Sequence, residues 1–198
     1  MREVELKSVI QDLDAARLRL ESAGAVSVFQ GRLEDRRYDF ADTALAAKDH
    51  VLRLRVYRGA GAATRGSLDW KGPTDYDGGY KVREEIAVEV ADPAAMVRLL
   101  DKLGLQVTMA IDRDIWQYEI HGAVVRLERF PRMDDLVEVE GEPGAIERAI
   151  GELGTDRASF TSERLADFVR RFETRTGTAA LLSDDAAAGT ASYDFRHA

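Results

Sequence analysis

Charged and apolar residues alternate along several short segments of this chain, and this period of two constrains its fold more than any other feature. At the start, Glu3, Glu5 and Lys7 alternate with Val4 and Leu6. Because successive side chains of a strand point to opposite faces, the three charged residues would share one face. Carboxylates on one wall suit a hard divalent cation, which takes oxygen ligands, and a nearby ammonium suits phosphate. Alone, however, a segment this short is more typical of a strand with a solvated face.

The same alternation recurs along the chain, with charged residues on one parity and apolar residues on the other. The segments are residues 52–56, 68–71, 82–88, 124–129 and 137–140. So many faces that mix acids and bases indicate that the charged faces meet one another, as they would inside a closed barrel. The sequence therefore predicts an α+β fold, a closed barrel with a charged interior and helices packed outside. A charged interior in turn implies a charged ligand.

Helical periodicity and end signals separate these strands. Predicted strands occupy residues 3–7, 26–40, 50–58, 67–71, 80–90, 106–119, 122–130 and 135–141. Predicted helices occupy residues 12–23, 93–104, 143–153 and 161–174. Asp92 and Pro93 are typical of a helix start, since Asp caps the helix and Pro fits its first position. We expect one domain over residues 1–176, followed by a mobile tail over residues 177–198 that is rich in Ala, Ser, Asp and Gly.

The composition narrows the classes of partner and site. The formal net charge is −8 and the pI is near 5.0, whereas nucleic-acid binding needs a basic surface. The absence of cysteine excludes disulfides and thiolate metal sites and agrees with a reducing cytoplasm. No apolar run approaches membrane-spanning length, and Arg2 and Glu3 are not typical of a signal peptide. We therefore expect a cytoplasmic protein without nucleic-acid or membrane partners.

Taken in order, these motifs resemble the CYTH domain, also called the triphosphate tunnel metalloenzyme family, over roughly residues 1–175. The matching pieces are Glu3-x-Glu5-x-Lys7, Tyr38-Asp39, Leu52-Arg53-x-Arg55, Trp70-Lys71-Gly72-Pro73, Arg83-x-Glu85, Arg113 and Glu138-x-Glu140. The stretch from Trp70 to the helix at Pro93 looks more like the class IV adenylyl cyclase branch than the vertebrate thiamine triphosphatase branch. The resemblance implies an eight-stranded antiparallel tunnel, bound Mg²⁺ or Mn²⁺, and a homodimer.

The resemblance also assigns candidate roles to the charged residues. The triphosphate would be bound by Lys7, Arg53, Arg55, Lys71, Arg83, Arg113 and Arg126. Among these, Lys7 and Arg113 are the candidate catalytic residues, and the planar fork of an arginine can bridge two phosphate oxygens. The metal would be bound by Glu3, Glu5, Glu138 and Glu140, with Glu85 and Glu128 as further candidates. Because Mg²⁺ usually takes only one or two carboxylates plus phosphate oxygens, some of these acids should orient basic residues instead.

Two positions depart from the family pattern. Ile111 stands where the family often has a lysine, which removes one phosphate contact, and Glu128 stands where it usually has an aspartate. We expect a divalent-metal-dependent enzyme acting on a triphosphate, first of all a class IV-like adenylyl cyclase that converts ATP to cyclic AMP and pyrophosphate. One alternative is a triphosphatase acting on tripolyphosphate, thiamine triphosphate or a nucleoside triphosphate. The other is a non-catalytic nucleotide or polyphosphate binder, for which Ile111 leaves room.

Overall fold

The alternating segments form the strands of a closed antiparallel barrel in the computed structural model, which describes residues 2–59 and 64–191. The strands are β1 (Arg2–Val9), β2 (Val26–Asp39), β3 (Val51–Gly59), β4 (Arg65–Lys71), β5 (Asp75–Asp77), β6 (Tyr80–Val90), β7 (Gln106–Ile120), β8 (Ala123–Arg129) and β9 (Leu136–Glu140). Eight of them pair in the order β1-β9-β8-β7-β2-β3-β4-β6, and β1 pairs with β6 to close the ring. The short β5 adds to β6 beside the barrel. The predicted eight-stranded antiparallel barrel is thus confirmed.

Helices cover the outside of the barrel, as the sequence predicts. They are α1 (Leu13–Ser22), α2 (Pro93–Lys102), α3 (Pro143–Leu153), α4 (Leu165–Thr176) and α5 (Asp184–Ala188). The carboxylate of Asp12 accepts a hydrogen bond from Ala15 N at 2.9 Å, and Asp92 caps α2 in the same way. None of the helices in the described ranges has both the length and the apolar composition that crossing a bilayer demands.

The strand period decides which residues enter the barrel. On β1, Val4 and Leu6 point outwards and are buried in the cluster that α1 and α3 build, together with Ile146 of α3. The alternate residues Glu3 and Glu5 point inwards and are also buried. Both faces of β1 are therefore buried. The outward face packs against apolar side chains, and the inward face forms ion pairs inside the barrel.

One end of the barrel interior is filled by apolar side chains. Leu33, Tyr57 and Ile115 continue the inward-facing rows of β2, β3 and β7 and are buried there, with Phe29 packed against them. The rings of Phe29 and Tyr57 meet edge-on at a centroid distance of 5.4 Å. The open space for a ligand lies further along the same rows.

The part of the chain after α3 differs from the prediction at two points. The helix expected from residue 161 begins at Leu165, because the backbone of Thr161 exchanges two hydrogen bonds with that of Lys7 and is held extended. The segment predicted to be a mobile tail packs on the barrel at its start, where Leu182 is buried and Leu181 bridges to Arg132. Residues 192–198 of that predicted tail lie outside the described residues.

Candidate active site

A cavity of about 680 Å³ occupies the barrel interior and is lined mainly by charged side chains. Of the residues predicted to bind triphosphate or metal, those that line it are Glu3, Glu5, Lys7, Arg53, Arg55, Lys71, Arg83, Arg113, Glu128 and Glu138. Arg126, Glu85 and Glu140 lie at the cavity wall against these lining residues. The structure therefore brings all the predicted site residues into one region, although they come from seven different strands.

One group of ion pairs is built around Lys7. Its Nζ lies 2.6 Å from Glu5 Oε1 and 2.7 Å from Glu138 Oε2, and Arg126 Nη1 donates to Glu138 Oε1 at 2.6 Å. Burial raises the pKa of Glu5, but the ammonium groups of Lys7 and Lys81 outweigh it and lower the pKa to about 2. Burial lowers the pKa of Lys7, and the carboxylates of Glu138 and Glu5 more than reverse this shift. Glu5 and Glu138 are thus ionised and hold Lys7 as a cation.

A second group of ion pairs surrounds Asp35. Its Oδ2 lies 3.7 Å from Arg53 Nη1, 3.5 Å from Arg55 Nε and 3.7 Å from Arg113 Nη2. These guanidinium groups overcome the effect of burial and hold the pKa of the Asp35 carboxyl well below its usual range. Arg113 Nε also donates to Glu128 Oε1 at 2.9 Å. Glu128 therefore orients an arginine in this structure.

The third group is a set of carboxylates. One oxygen from each of Glu3, Glu85 and Glu140 lies within 4.8 Å of the others. Such an all-oxygen donor set fits a hard divalent cation such as Mg²⁺ or Mn²⁺. Burial and the charges of Glu138 and Glu3 raise the pKa of Glu140 to about 7. The predicted metal ligands thus divide into this trio, whose oxygens converge, and Glu5, Glu128 and Glu138, which lie outside it and pair with basic side chains.

The ammonium of Lys71 partly neutralises the carboxylate trio. Lys71 Nζ donates to both oxygens of Glu3 and lies 3.5 Å from Glu85 Oε2. Burial and the nearby Arg53 guanidinium lower the pKa of Lys71 to about 8, against the opposite effect of Glu3. Arg53 itself joins the trio to the second group, since it donates to Glu85 at 3.3 Å while its Nη1 lies 3.7 Å from Asp35 Oδ2. Its Nε also donates to Asp69 at 3.0 Å.

Arg83 is placed differently from the other predicted triphosphate ligands. Its Nε donates to Gly72 O at 2.6 Å and its Nη2 donates to Asp49 O at 2.5 Å. Asp49 Oδ2 in turn accepts from Arg164 Nη2 at 3.1 Å and from Thr74 N at 2.7 Å. Arg83 thus lines the cavity while it anchors the loops that precede β3 and follow β4.

Buried guanidinium atoms in the cavity point to an anionic ligand. Arg37 Nε and Arg113 Nη1 are removed from water and make no hydrogen bond with any residue that the structure describes. Unpaired buried donors are uncommon in proteins, and those on a cation are costly. Phosphate oxygens would satisfy such donors, because they accept charge-assisted hydrogen bonds.

Sequence reasoning missed several charged residues of the cavity. Asp35, Arg37, Asp69, Lys81 and Arg164 are all in or at its wall. Asp69 and Lys81 have the same parity as the neighbouring predicted residues, so the alternation could have identified them. Asp35 and Arg37 lie in a run of charged residues where no alternation is visible, and Arg164 precedes a helix.

Comparisons with known proteins agree on the fold. The family model described as "CYTH domain" matches residues 1–152. A candidate adenylate cyclase from Vibrio parahaemolyticus is 17% identical, with a TM-score of 0.71 over 85% of this chain and 97% of that one. A protein from Pyrococcus horikoshii OT3 is 24% identical, with a TM-score of 0.69 over 85% of this chain and 98% of that one.

A plant protein adds a functional description. The candidate adenylyl cyclase HpAC1 from Hippeastrum, described as having a dominant triphosphatase activity, is 18% identical, with a TM-score of 0.58 over 92% of this chain and 98% of that one. No curated protein sequence matches the chain.

Proposed function

The chain belongs to the CYTH domain family, and we propose on that basis that it is a divalent-metal-dependent enzyme acting on a triphosphate. The observation that carries the proposal is the meeting, in one cavity, of a set of buried basic side chains and an all-oxygen carboxylate trio. A triphosphate carries several negative charges, and its transfer chemistry depends mainly on positioning and on neutralising charge. Both requirements are met by residues already held in place by ion pairs.

We assign triphosphate binding to the basic residues of the cavity. They are Lys7, Arg53, Arg55, Lys71, Arg83, Arg113 and Arg126. Lys7 is kept cationic by Glu5 and Glu138, so it can donate to phosphate oxygens throughout the reaction. Arg113 has Nη1 unengaged by other described residues, so this atom can donate to a phosphate oxygen without breaking an existing hydrogen bond. Because these two residues would touch the reacting phosphates, they are the proposed catalytic residues.

We assign metal binding first to Glu3, Glu85 and Glu140. A divalent cation bound there would supply charge neutralisation at the phosphate oxygens. Glu5, Glu128 and Glu138 remain further candidates, but none of them belongs to the trio whose carboxylate oxygens converge, and each pairs with a basic side chain. Lys71 would exchange its contact with Glu3 for one with a phosphate when the cation binds.

The first candidate reaction is that of an adenylyl cyclase. The ribose 3′-hydroxyl of ATP would attack the α-phosphorus, and cyclic AMP and pyrophosphate would leave. The second candidate is hydrolysis, in which water attacks the terminal phosphorus of a triphosphate. The similarity in fold to HpAC1, which is described as having a dominant triphosphatase activity, supports hydrolysis as the second candidate. Both use the same charged cavity and differ in which phosphorus meets which nucleophile.

Product analysis separates these reactions. The purified protein is incubated with ATP and Mg²⁺ or Mn²⁺, and the nucleotides are resolved by chromatography. Cyclic AMP with pyrophosphate establishes the cyclase, and ADP with phosphate establishes the triphosphatase. Binding of ATP without turnover of any triphosphate would favour the non-catalytic alternative.

A further inference from the structure

Arg37 is a basic residue of the cavity to which the proposed function assigns no role. It lies on β2 and lines the cavity. It pairs in register with Arg53 of β3 and with Met109 of β7. Along β2 it is the next inward-facing residue after Asp35, on the side away from the filled end of the barrel.

Arg37 differs from the other basic residues of the cavity in its contacts. Each residue already assigned to the triphosphate has an ion pair or a hydrogen bond within the protein. The Nε of Arg37 is removed from water, and it makes no hydrogen bond with any residue in the described part of the chain. Such a donor on a cation is costly unless a ligand accepts from it.

Positive charge dominates the surroundings of Arg37. Burial, together with the positive charges of nearby arginines, lowers the pKa of Arg37 to about 10. These arginines are Arg53, Arg113 and Arg83, and the charge of Asp35 opposes them without offsetting the shift. A lowered pKa means that the folded protein disfavours the charged form. As a cation, Arg37 therefore lowers the stability of the ligand-free protein.

The strand order places Arg37 across the barrel from the carboxylate trio. Four steps separate β2 from β1 in either direction around the ring, through β7, β8 and β9 or through β3, β4 and β6. The trio belongs to β1, β6 and β9. A triphosphate whose metal-bound oxygens face the trio would turn its other oxygens towards β2.

The neighbouring β7 brings no charge to this part of the wall. Ile111 and Met109 line the cavity beside Arg37. Ile111 pairs with Asp35, so Arg37 is its diagonal neighbour on the same face of the sheet. Ile111 also stands where the family pattern often has a lysine. Arg37 thus supplies a cation next to the position that lacks one.

We propose that Arg37 is a further triphosphate-binding residue, which donates to phosphate oxygens facing away from the carboxylate trio and compensates for the missing cation at Ile111. This inference rests on the proposed function, since it needs a triphosphate in the cavity. An anionic phosphate beside Arg37 would accept from its unpaired donor and reduce the repulsion among the arginines. The residue therefore serves binding and not the stability of the fold.

Two measurements on Arg37→Met separate a binding role from a structural one. Calorimetry in metal-free buffer gives the Kd of tripolyphosphate and of ATP, and urea unfolding without ligand gives the stability. For each ligand that the wild type binds, Kd should rise at least about tenfold, as expected for the loss of a hydrogen bond to a charged group. The urea midpoint should stay the same or rise, because the substitution removes a cation from among cations.

The adjacent arginine provides the matched control. Arg36 points to the outside of the barrel, where its Nη1 donates to Asp112 Oδ1 at 2.5 Å, and Asp112 is buried. Arg36→Met should lower the urea midpoint, because a buried carboxylate loses an ion-pair partner. It should leave the Kd of both ligands within about twofold of the wild-type value.

The outcomes also separate this inference from the proposed function. An unchanged Kd in Arg37→Met overturns the inference, and so does a fall in its urea midpoint comparable to that of Arg36→Met. Arg37→Gln removes the charge with a polar side chain and should give the same two results, so a misfit of methionine alone would be recognised. Failure of the wild type to bind either ligand overturns the proposed function itself.

Discussion

Lys71 donates hydrogen bonds to both carboxylate oxygens of Glu3, so an ammonium lies against a carboxylate that also faces Glu85 and Glu140. This contact links the two chemistries of the cavity. The same lysine partly neutralises the carboxylate trio and lies beside Arg53, and burial together with the charge of Arg53 lowers the pKa of Lys71. The charge of Lys71 would repel a divalent cation bound at the trio, and it would attract a phosphate bound near Arg53.

Replacing Lys71 should therefore change metal and triphosphate binding in opposite directions. In Lys71→Gln, the affinity for Mn²⁺ without substrate should rise at least about tenfold. The repulsion between unit charges 4 Å apart near a protein surface is about 4 kcal/mol, which exceeds the roughly 1.4 kcal/mol that a tenfold change requires. Triphosphate affinity should fall, since one cation is lost. Titration calorimetry with each ligand measures both. Lys81→Gln is the matched control, because Lys81 pairs with Glu5 outside the trio; equal effects of the two variants on Mn²⁺ would contradict the assignment.

Metal binding should become tighter between pH 6 and pH 8. Burial and the charges of Glu138 and Glu3 raise the pKa of Glu140 from 4.5 to about 7, so it is mostly protonated at pH 6 and mostly ionised at pH 8. A metal ligand must be deprotonated, so affinity follows the ionised fraction, which grows about tenfold over this range. Mn²⁺ titration at the two pH values checks this, and Glu140→Gln should bind weakly with little pH dependence. A wild-type affinity that is flat with pH would place the metal elsewhere.

The buried pairing of Glu5 should stabilise the fold at neutral pH. The Glu5 pKa is depressed to about 2 from 4.5, so its stabilisation is present above about pH 4.5 and is lost as pH falls through 2. Glu5→Gln should lower the free energy of unfolding by about 3 kcal/mol at pH 7, because Lys7 and Lys81 lose a buried partner. Denaturant unfolding from pH 7 to pH 2 should show this difference shrinking towards acid.

A surface pair provides the comparison for that experiment. Glu147 pairs with Arg157 at 2.7 Å, but its side chain is 42% exposed. Glu147→Gln should cost less than about 1 kcal/mol, as exposed ion pairs do. If the two variants lose equal stability, burial of the Glu5 pairs is not what makes them important.

The two-branched guanidinium of Arg113 should contribute more to catalysis than its positive charge alone. Arg113→Lys keeps a cation but loses the second branch of the guanidinium, while Glu128 still holds the residue from one side. We expect kcat/KM for the triphosphate substrate to fall about a hundredfold, the usual effect of losing one aligned donor to a transition state. Arg129→Lys is the control, since Arg129 pairs with Asp135 on the outside and is 46% exposed. Similar losses in both variants would remove Arg113 from the site.

The alternation of residue types predicted the barrel correctly because it matches the two faces of each strand. On β1, Glu3, Glu5 and Lys7 point into the barrel, and Val4 and Leu6 point outwards. It could not show which of the acids gather into the carboxylate trio, because this depends on strand register. Glu140 lies opposite Glu5 in the ladder between β1 and β9, and only the closed ring brings the Glu3 and Glu85 carboxylates to it.

The sequence pattern failed to identify Asp35 and Arg37 as site residues for a different reason. They belong to four consecutive charged residues, 34–37, so both faces of β2 are charged and no period of two appears there. In the structure Glu34 pairs with Arg58 on the outside, while Asp35 collects three arginines inside. The packing of the C-terminal segment could not be predicted from the local sequence pattern either. It depends on backbone hydrogen bonds between residues far apart in the chain, those of Leu181 with Arg132 and of Leu182 with Asp112.

The most direct test of the account is the turnover of ATP, thiamine triphosphate and tripolyphosphate by the purified wild type, each with Mg²⁺, with Mn²⁺ and with a chelator. Release of pyrophosphate or phosphate and formation of cyclic AMP are measured together. We predict that at least one triphosphate is turned over, that the chelator abolishes the reaction, and that Glu3→Gln severely reduces it. Turnover that persists in the chelator would contradict the metal assignment, and binding without turnover of any substrate would contradict the assignment as an enzyme.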